Sequence, residues 1–221
     1  MRSGIAIITS SHGKLSCQFF YIFVAMKQII TFLVAVFAIM SCSNPAGNQD
    51  NSKAVLDNIL SRKSVRSYTE QEVSQEQIET ILKAAMAAPS GVNLQPWRFV
   101  VVREQATKEK LAVGFNKMIA QAPVAIVVCG VTTMDNGNPN GNWTADCAAA
   151  TENLLLAVEA LGLGAVWTAC YPYDVRMDPT IEALGLPEEV KPYCIVPIGY
   201  PAGEDKPKDK WKPENIHYEK W

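Results

Sequence analysis

Eight consecutive residues, Val124–Val131 (VAIVVCGV), carry no charged side chain and are rich in β-branched valine and isoleucine. A run of that length and type reads as a strand buried within a sheet. Two more strands are predicted at Arg98–Arg103 (RFVVVR) and Tyr193–Ile198, and a third, Ala165–Ala169, lies between them. Helical spacing supplies the rest. A first helix is expected over about Ser52–Leu60, with Val55, Leu56, Ile59 and Leu60 on one face. Ser74 with Gln77 three residues on forms a capping box, opening a helix whose apolar stripe is Ile78, Ile81, Leu82, Ala85 and Met86 and which Pro89 ends. A short helix is predicted near Thr107–Ala120. The longest is predicted at Asp146–Leu161, with Leu154, Leu155, Val158 and Leu161 as its core stripe. Thr132–Thr144, rich in Asn and Gly, reads as a mobile loop.

Before this domain lies a different kind of segment. From Met26 the chain has one basic residue, Lys27, then the stretch Ile29–Met40 in which Thr31 alone is not apolar, then Ser41-Cys42. That stretch is shorter than the ~20 residues of a spanning helix and fits the hydrophobic part of a signal peptide. The small residue and cysteine after it resemble a bacterial lipoprotein signal, in which Cys42 would be lipidated. The expected organisation is therefore 1–25 as a possible over-extended start, 26–41 as signal peptide, 42–52 as polar tether and 53–221 as the folded domain. A single uncleaved anchor from Phe19 to Met40 is the alternative.

Several function classes are disfavoured. A net charge of −2 gives no general attraction to nucleic acid. There are two histidines, and a Ser-His-Asp or Cys-His site in the domain would depend on His217 near the end of the chain. The six cysteines contain no C-x-x-C pair, so a zinc site is poorly supported. Gly162-Leu163-Gly164 lacks the third glycine of a dinucleotide fingerprint and stands between a helix and a strand, the reverse of the required order. Such a composition favours an enzyme whose chemistry belongs to a cofactor.

Two clusters suit a cofactor, and a third adds to the pattern they make. Arg62-Lys63-Ser64-Val65-Arg66 follows the first helix; its arginines and hydroxyl can hold a phosphate and reach a polar ring edge, although a basic helix end favoured by the dipole would read the same way. Ala88-Pro89-Ser90-Gly91-Val92-Asn93-Leu94-Gln95-Pro96-Trp97 joins a helix to a strand and offers polar groups to a flat heterocycle, or serves as a structural loop. Glu159–Trp167 (EALGLGAVW) leads from the long helix into a strand, and Pro197–Pro201 reads PIGYP.

In this order the clusters resemble the nitroreductase superfamily of FMN enzymes, over roughly Val55 to Lys210. The resemblance implies an α+β fold with a mixed central sheet flanked by helices, as an intertwined homodimer. Two FMN molecules would lie at the interface, with a C-terminal segment of each subunit extended over the other. Arg62 would contact the FMN phosphate with Ser64 assisting, and Arg66 would lie by the N1/C2 carbonyl side of the ring. Pro89, Ser90, Gly91 and Asn93 would reach the flavin from the partner subunit. Lys208 and Lys210 stand where family members carry basic phosphate ligands. Thr168, Ala169 and Cys170 stand where backbone groups lie beside flavin N5; family members often have Glu-Gly where Ala169 and Cys170 occur, so a role for a Glu side chain does not carry over. Asn116 and Lys117 are weaker carry-overs. No metal is implied.

The implied reaction is ping-pong, from NAD(P)H through FMN to a nitroaromatic, quinone or enone. Trp143, Trp167 and the 132–144 loop are candidates for shaping the acceptor slot, with core packing the preferred role for Trp167; Cys147 and Cys170 read as packing residues. Export sits uneasily with a cytosolic donor, so the envelope with another donor and the cytoplasm with NAD(P)H are both open. Alternatives for the activity are a flavin-carrying lipoprotein without turnover and a reductive dehalogenase-like member.

Overall fold

The computed structural model describes residues 46–113 and 117–221. The signal and anchor readings, Cys42 and Asn116 fall outside them. Residues Lys53–Trp221 form one compact unit. Among the described residues no helix is long and apolar enough to cross a membrane.

The sheet is built on β2 (Val124–Val131), paired antiparallel with β1 (Trp97–Val102) on one side and β5 (Val190–Gly199) on the other. Two short strands, β3 (Gly164–Ala165) and β4 (Thr168–Ala169), both pair antiparallel with β5. The α+β architecture implied by the resemblance is present, and the pairings described within one chain are all antiparallel. The single strand expected at Ala165–Ala169 is broken at Val166-Trp167, so its two halves meet different stretches of β5.

β2 explains its own sequence. Val124, Ile126 and Val128 face a core layer with Ile78, Ile81 and Leu154. Ala125, Val127 and Cys129 face a second layer with Leu111, Ile119 and Ile195. A strand covered on both sides has no polar face, and the period of two disappears from its sequence. The first layer comes from α2 (Gln75–Met86) and α5 (Trp143–Ala160). The Ser74 capping box is formed in both directions, with the Gln77 N–H donating to Ser74 Oγ at 3.1 Å and the Ser74 N–H to Gln77 Oε1 at 2.9 Å. The second layer comes from α3 (Gln105–Leu111), α4 (Met118–Gln121) and α6 (Asp174–Leu184).

Four differences from the sequence reading have physical causes. Helix α1 spans Ala46–Ser61, so the end of the expected tether is helical. Its apolar residues do not enter this chain's core: Val55, Leu56, Ile59 and Leu60 stay 47–73% exposed. Segment 132–144 closes on itself rather than hanging loose, through Asn140 N–H to Thr132 O at 2.8 Å and Met134 N–H to Asn138 O at 2.8 Å. Helix α6 was not anticipated, because Pro179 inside it breaks the usual helical signature; it stops at Gly185, whose φ of 62° is left-handed.

Candidate functional site

The basic cluster is positioned by the sheet. Val65 is fully buried, and its N–H donates to Ala165 O on β3 at 2.9 Å. Glycine is required opposite it, since a Cβ at Gly164 would lie 2.6 Å from Val65 side-chain carbons. With Val65 turned inward, its neighbours Ser64 and Arg66 turn out. The Tyr68 hydroxyl lies 2.7 Å from Val65 O and 3.2 Å from Pro197 O, and donates its proton to that pair of carbonyls. Burial holds this phenol far above its ordinary pKa. Tyr68 pairs with Pro201, Thr69 N–H donates to Tyr200 O, and Ala202 N–H donates to Ser67 O. These contacts lead the tail back over the cluster.

The result is a cleft of about 290 Å³ lined by Arg62, Lys63, Ser64, Arg66, Asp205, Lys206, Lys208 and Lys210. Five of the predicted residues thus converge from two ends of the domain. Lys206 joins them, a residue the sequence reading did not assign. Some of the positive charge is engaged: Lys63 donates to Glu159 at 2.7 Å, and Arg62 Nε lies 3.5 Å from Glu152 Oε1. That pair orients Arg62, whose side chain is 16% exposed, while a guanidinium with five N–H groups has donors beyond the one facing Glu152. An anion with several acceptor oxygens suits this donor set.

The second cluster is built from backbone. Between α2 and β1, Val92, Asn93 and Gln95 all have positive φ, at 44°, 60° and 49°. Asn tolerates this region, whereas a β-branched valine there is strained. Hydrogen bonds hold the shape: Asn93 N–H to Ser90 O, Leu94 N–H to Gly91 O, and Gln95 N–H to Ser90 Oγ at 3.0 Å. Gly91 donates to Asp146 Oδ1 at 2.9 Å, and a Cβ at Gly91 would lie 2.7 Å from Asn142 Nδ2. Val92 is 90% exposed, and Pro89 and Asn93 are exposed as well. No residue of this loop lines the basic cleft, so one chain does not bring the two clusters into one cavity there.

The third region is the outer edge of β4. Thr168 is buried, its hydroxyl donating to Ile195 O. Cys170 is fully buried and faces inward, with its N–H on Tyr193 O at 3.0 Å, its carbonyl accepting from Tyr173 N–H and its thiol on Thr180 Oγ1. The N–H, carbonyl and thiol of Cys170 thus all have partners within the chain. Ala169 is the outward residue. Its carbonyl accepts from Arg176 Nη1 at 2.8 Å, and strand alternation turns its N–H to the same outer edge.

Nearby, Trp143 is buried rather than open to a slot, edge-on to Tyr171 with ring centroids 4.7 Å apart. Trp167, half-buried, packs edge-on to Tyr193. Cys147 is buried, and burial pushes its thiol up to about 12 and that of Cys170 to about 11. Both are packing groups, not nucleophiles, since the thiolate is the reactive form. Lys117 is exposed before α4, away from these features in sequence.

With this geometry in hand, comparison with known proteins is direct. The nitroreductase family profile matches residues 59–113 and 111–200. A protein of Methanothermobacter thermautotrophicus named "Putative NADH dehydrogenase/NAD(P)H nitroreductase" is 42% identical over 169 residues, covering 76% of this chain and 87% of its own. A crystal structure of a Bacteroides thetaiotaomicron protein of the same name is 45% identical with a TM-score of 0.72, over 76% of this chain and 98% of that one. An FMN-dependent nitroreductase of Clostridium difficile is 27% identical with a TM-score of 0.69, over 75% of this chain and 99% of the other. Profile, identity and fold agree with the order of the three clusters: the chain belongs to the nitroreductase family.

Proposed function

We propose that this protein is an FMN-dependent oxidoreductase of the NAD(P)H nitroreductase type. It acts as a homodimer and passes electrons from a reduced nicotinamide, or from another donor if the chain is exported, to an electron-poor acceptor such as a nitroaromatic, a quinone or an enone. The observation that carries the reading is the cleft in which Arg62, Ser64 and Arg66 meet Lys208 and Lys210. Its donor set fits the phosphate of FMN, and the relatives described above are named for nicotinamide and FMN chemistry.

In this reading Arg62, Ser64, Lys208 and Lys210 hold the phosphate, and Arg66 offers a cation to the polar edge of the ring. A cation there favours the negative charge of a reduced flavin. Pro89, Ser90, Gly91 and Asn93 meet the flavin from the partner subunit, which accounts for a shaped but exposed loop. Ala169 presents the backbone N–H of the β4 edge, with Thr168 as its support. FMN bound there would supply the two-electron chemistry. The dimer draws on the apolar face of α1 and an open groove of about 500 Å³ beside it, lined by residues such as Val55, Ile59, Ala84 and Leu156. An apolar patch of this kind on one chain is what a second subunit would cover.

The test is anaerobic titration of the FMN-loaded protein with NADH and with NADPH while the visible flavin band is followed. Bleaching by either donor, and its return on adding a quinone, is the expected result. A flavin that stays oxidised with both donors would favour the carrier reading over the enzyme. Arg66→Ala is expected to retain flavin but lower its reduction potential, and an unchanged potential removes the role given to Arg66. For the N-terminal segment we propose export and lipidation at Cys42, with an envelope electron donor; a native protein of unmodified mass would reject it.

A further inference from the structure

Asp146 stands in the first turn of α5 and is 5% exposed. Its Oδ1 accepts the Gly91 N–H at 2.9 Å, a contact between residues 55 positions apart in sequence. Its Oδ2 is buried with no hydrogen-bond partner among the described residues. A buried carboxylate so sparsely bonded is costly, because an unsatisfied buried group loses its water without gaining a partner and a charged one loses more. The N-terminal end of α5 offsets part of that cost, because the helix dipole favours negative charge there. What the carboxylate holds is the loop with three left-handed residues, one of them β-branched. Left to itself, a loop of this kind relaxes toward ordinary backbone angles.

We propose that Asp146 is a positioning residue: through Gly91 it holds Pro89–Asn93 in the strained shape in which the loop meets the flavin. The proposal rests on the reading that this loop contacts FMN. The other loop bonds described above are made within residues 90–95, and Arg98 Nη1 on β1 reaches Gln95 O at 3.3 Å, so for the stretch Pro89–Asn93 these bonds shape the turn without tying it to the body of the domain. Asp146 supplies that tie by side chain, and it does so from the rigid helix that also carries the core. Asparagine at this position keeps an oxygen for the Gly91 N–H, whereas alanine removes it.

The experiment compares wild type, Asp146→Asn, Asp146→Ala and the double variant Asp146→Ala/Val92→Gly in the full chain. FMN affinity is measured by fluorescence quenching, inorganic phosphate affinity by protection of the flavin-free protein against heat, and amide exchange at Gly91–Gln95 by mass spectrometry. Losing this charge-assisted bond should weaken FMN binding by about 10-fold or more in Asp146→Ala. Asp146→Asn should stay within about threefold of wild type, since the Gly91 acceptor is retained. Phosphate affinity should be unchanged in both, because the basic cleft does not use the loop. In the double variant the left-handed angles cost less, so part of the lost FMN affinity should return.

Wild-type FMN affinity in Asp146→Ala would overturn the proposal. So would equal losses in the Asn and Ala variants, a parallel fall in phosphate affinity, or no recovery in the double variant. Faster exchange at Gly91–Gln95 in flavin-free Asp146→Ala is expected and needs no flavin. If wild type binds phosphate but no FMN, the functional reading falls, and the exchange experiment still decides whether Asp146 anchors the loop.

Discussion

The basic cleft and the 88–97 loop serve one proposed ligand but are made by opposite means. The cleft is assembled from long charged side chains, several of them exposed, on an extended segment and a tail that the sheet edge brings together. The loop is assembled from backbone angles that most residues avoid, fixed by hydrogen bonds and one buried carboxylate. A charge cluster tolerates imprecision, because Coulomb attraction falls slowly with distance and flexible lysines adjust. A backbone surface does not adjust, and its value lies in being preformed. The comparison therefore assigns affinity for the phosphate to one region and shape recognition of the rest of the flavin to the other.

The largest effect expected from that division is at Arg62. Arg62→Ala should weaken FMN binding by about 10- to 100-fold, the range for losing a hydrogen bond to a charged group. It should leave riboflavin, which lacks the phosphate, almost unaffected. The protein should still fold, since Glu152, the partner left behind, is 49% exposed and can be solvated. Titration of both ligands by fluorescence decides this; equal losses for FMN and riboflavin would erase the distinction between the regions.

A smaller effect separates the same two regions without mutation. Exposed cations are screened by salt, with a Debye length of about 10 Å at 0.1 M and about 3 Å at 1 M. Raising sodium chloride through that range should lower FMN affinity by several-fold and leave riboflavin affinity level. A parallel salt response for both ligands would mean that the cleft does not read the phosphate.

The two regions also differ in how far they could be read before the structure. Arg62, Ser64 and Arg66 were legible as a basic cluster with a hydroxyl that could hold a phosphate, and it was the family resemblance that separated them from an ordinary basic helix end. Lys208 and Lys210 were legible through family resemblance, but Lys206 was not assigned, since the Tyr68–Pro201 pairing is what brings that part of the tail to the cleft. The loop was legible as a site and opaque as a shape, because nothing in the letters of Val92 or Gln95 announces a positive φ. Asp146 was missed for a related reason: its role depends on a contact with Gly91 across the fold. That Ala169 faces out and Cys170 in was not legible, because the break at Val166-Trp167 and the bond to Tyr193 decide which residues of the edge face out. The stripe on α1 looked like core, and within one chain it is surface.

The smallest expected effect is the most specific to the loop. Val92 is 90% exposed, so Val92→Gly removes little packing and chiefly relieves a left-handed conformation. Such relief amounts to roughly 1 kcal/mol once the greater entropy of glycine in the unfolded chain is set against it. For a domain of this size that raises the melting temperature of the flavin-free protein by about 2–4 °C. In the presence of Asp146 the loop is already held in its binding shape, so FMN affinity should change by less than about twofold. Strain relief thus surfaces as stability while the anchor is intact, and as recovered affinity when the anchor is removed. A Val92→Gly protein that melts no higher than wild type would show that the loop's left-handed geometry is not stored strain, and the loop would then have to be regarded as another adjustable surface like the cleft.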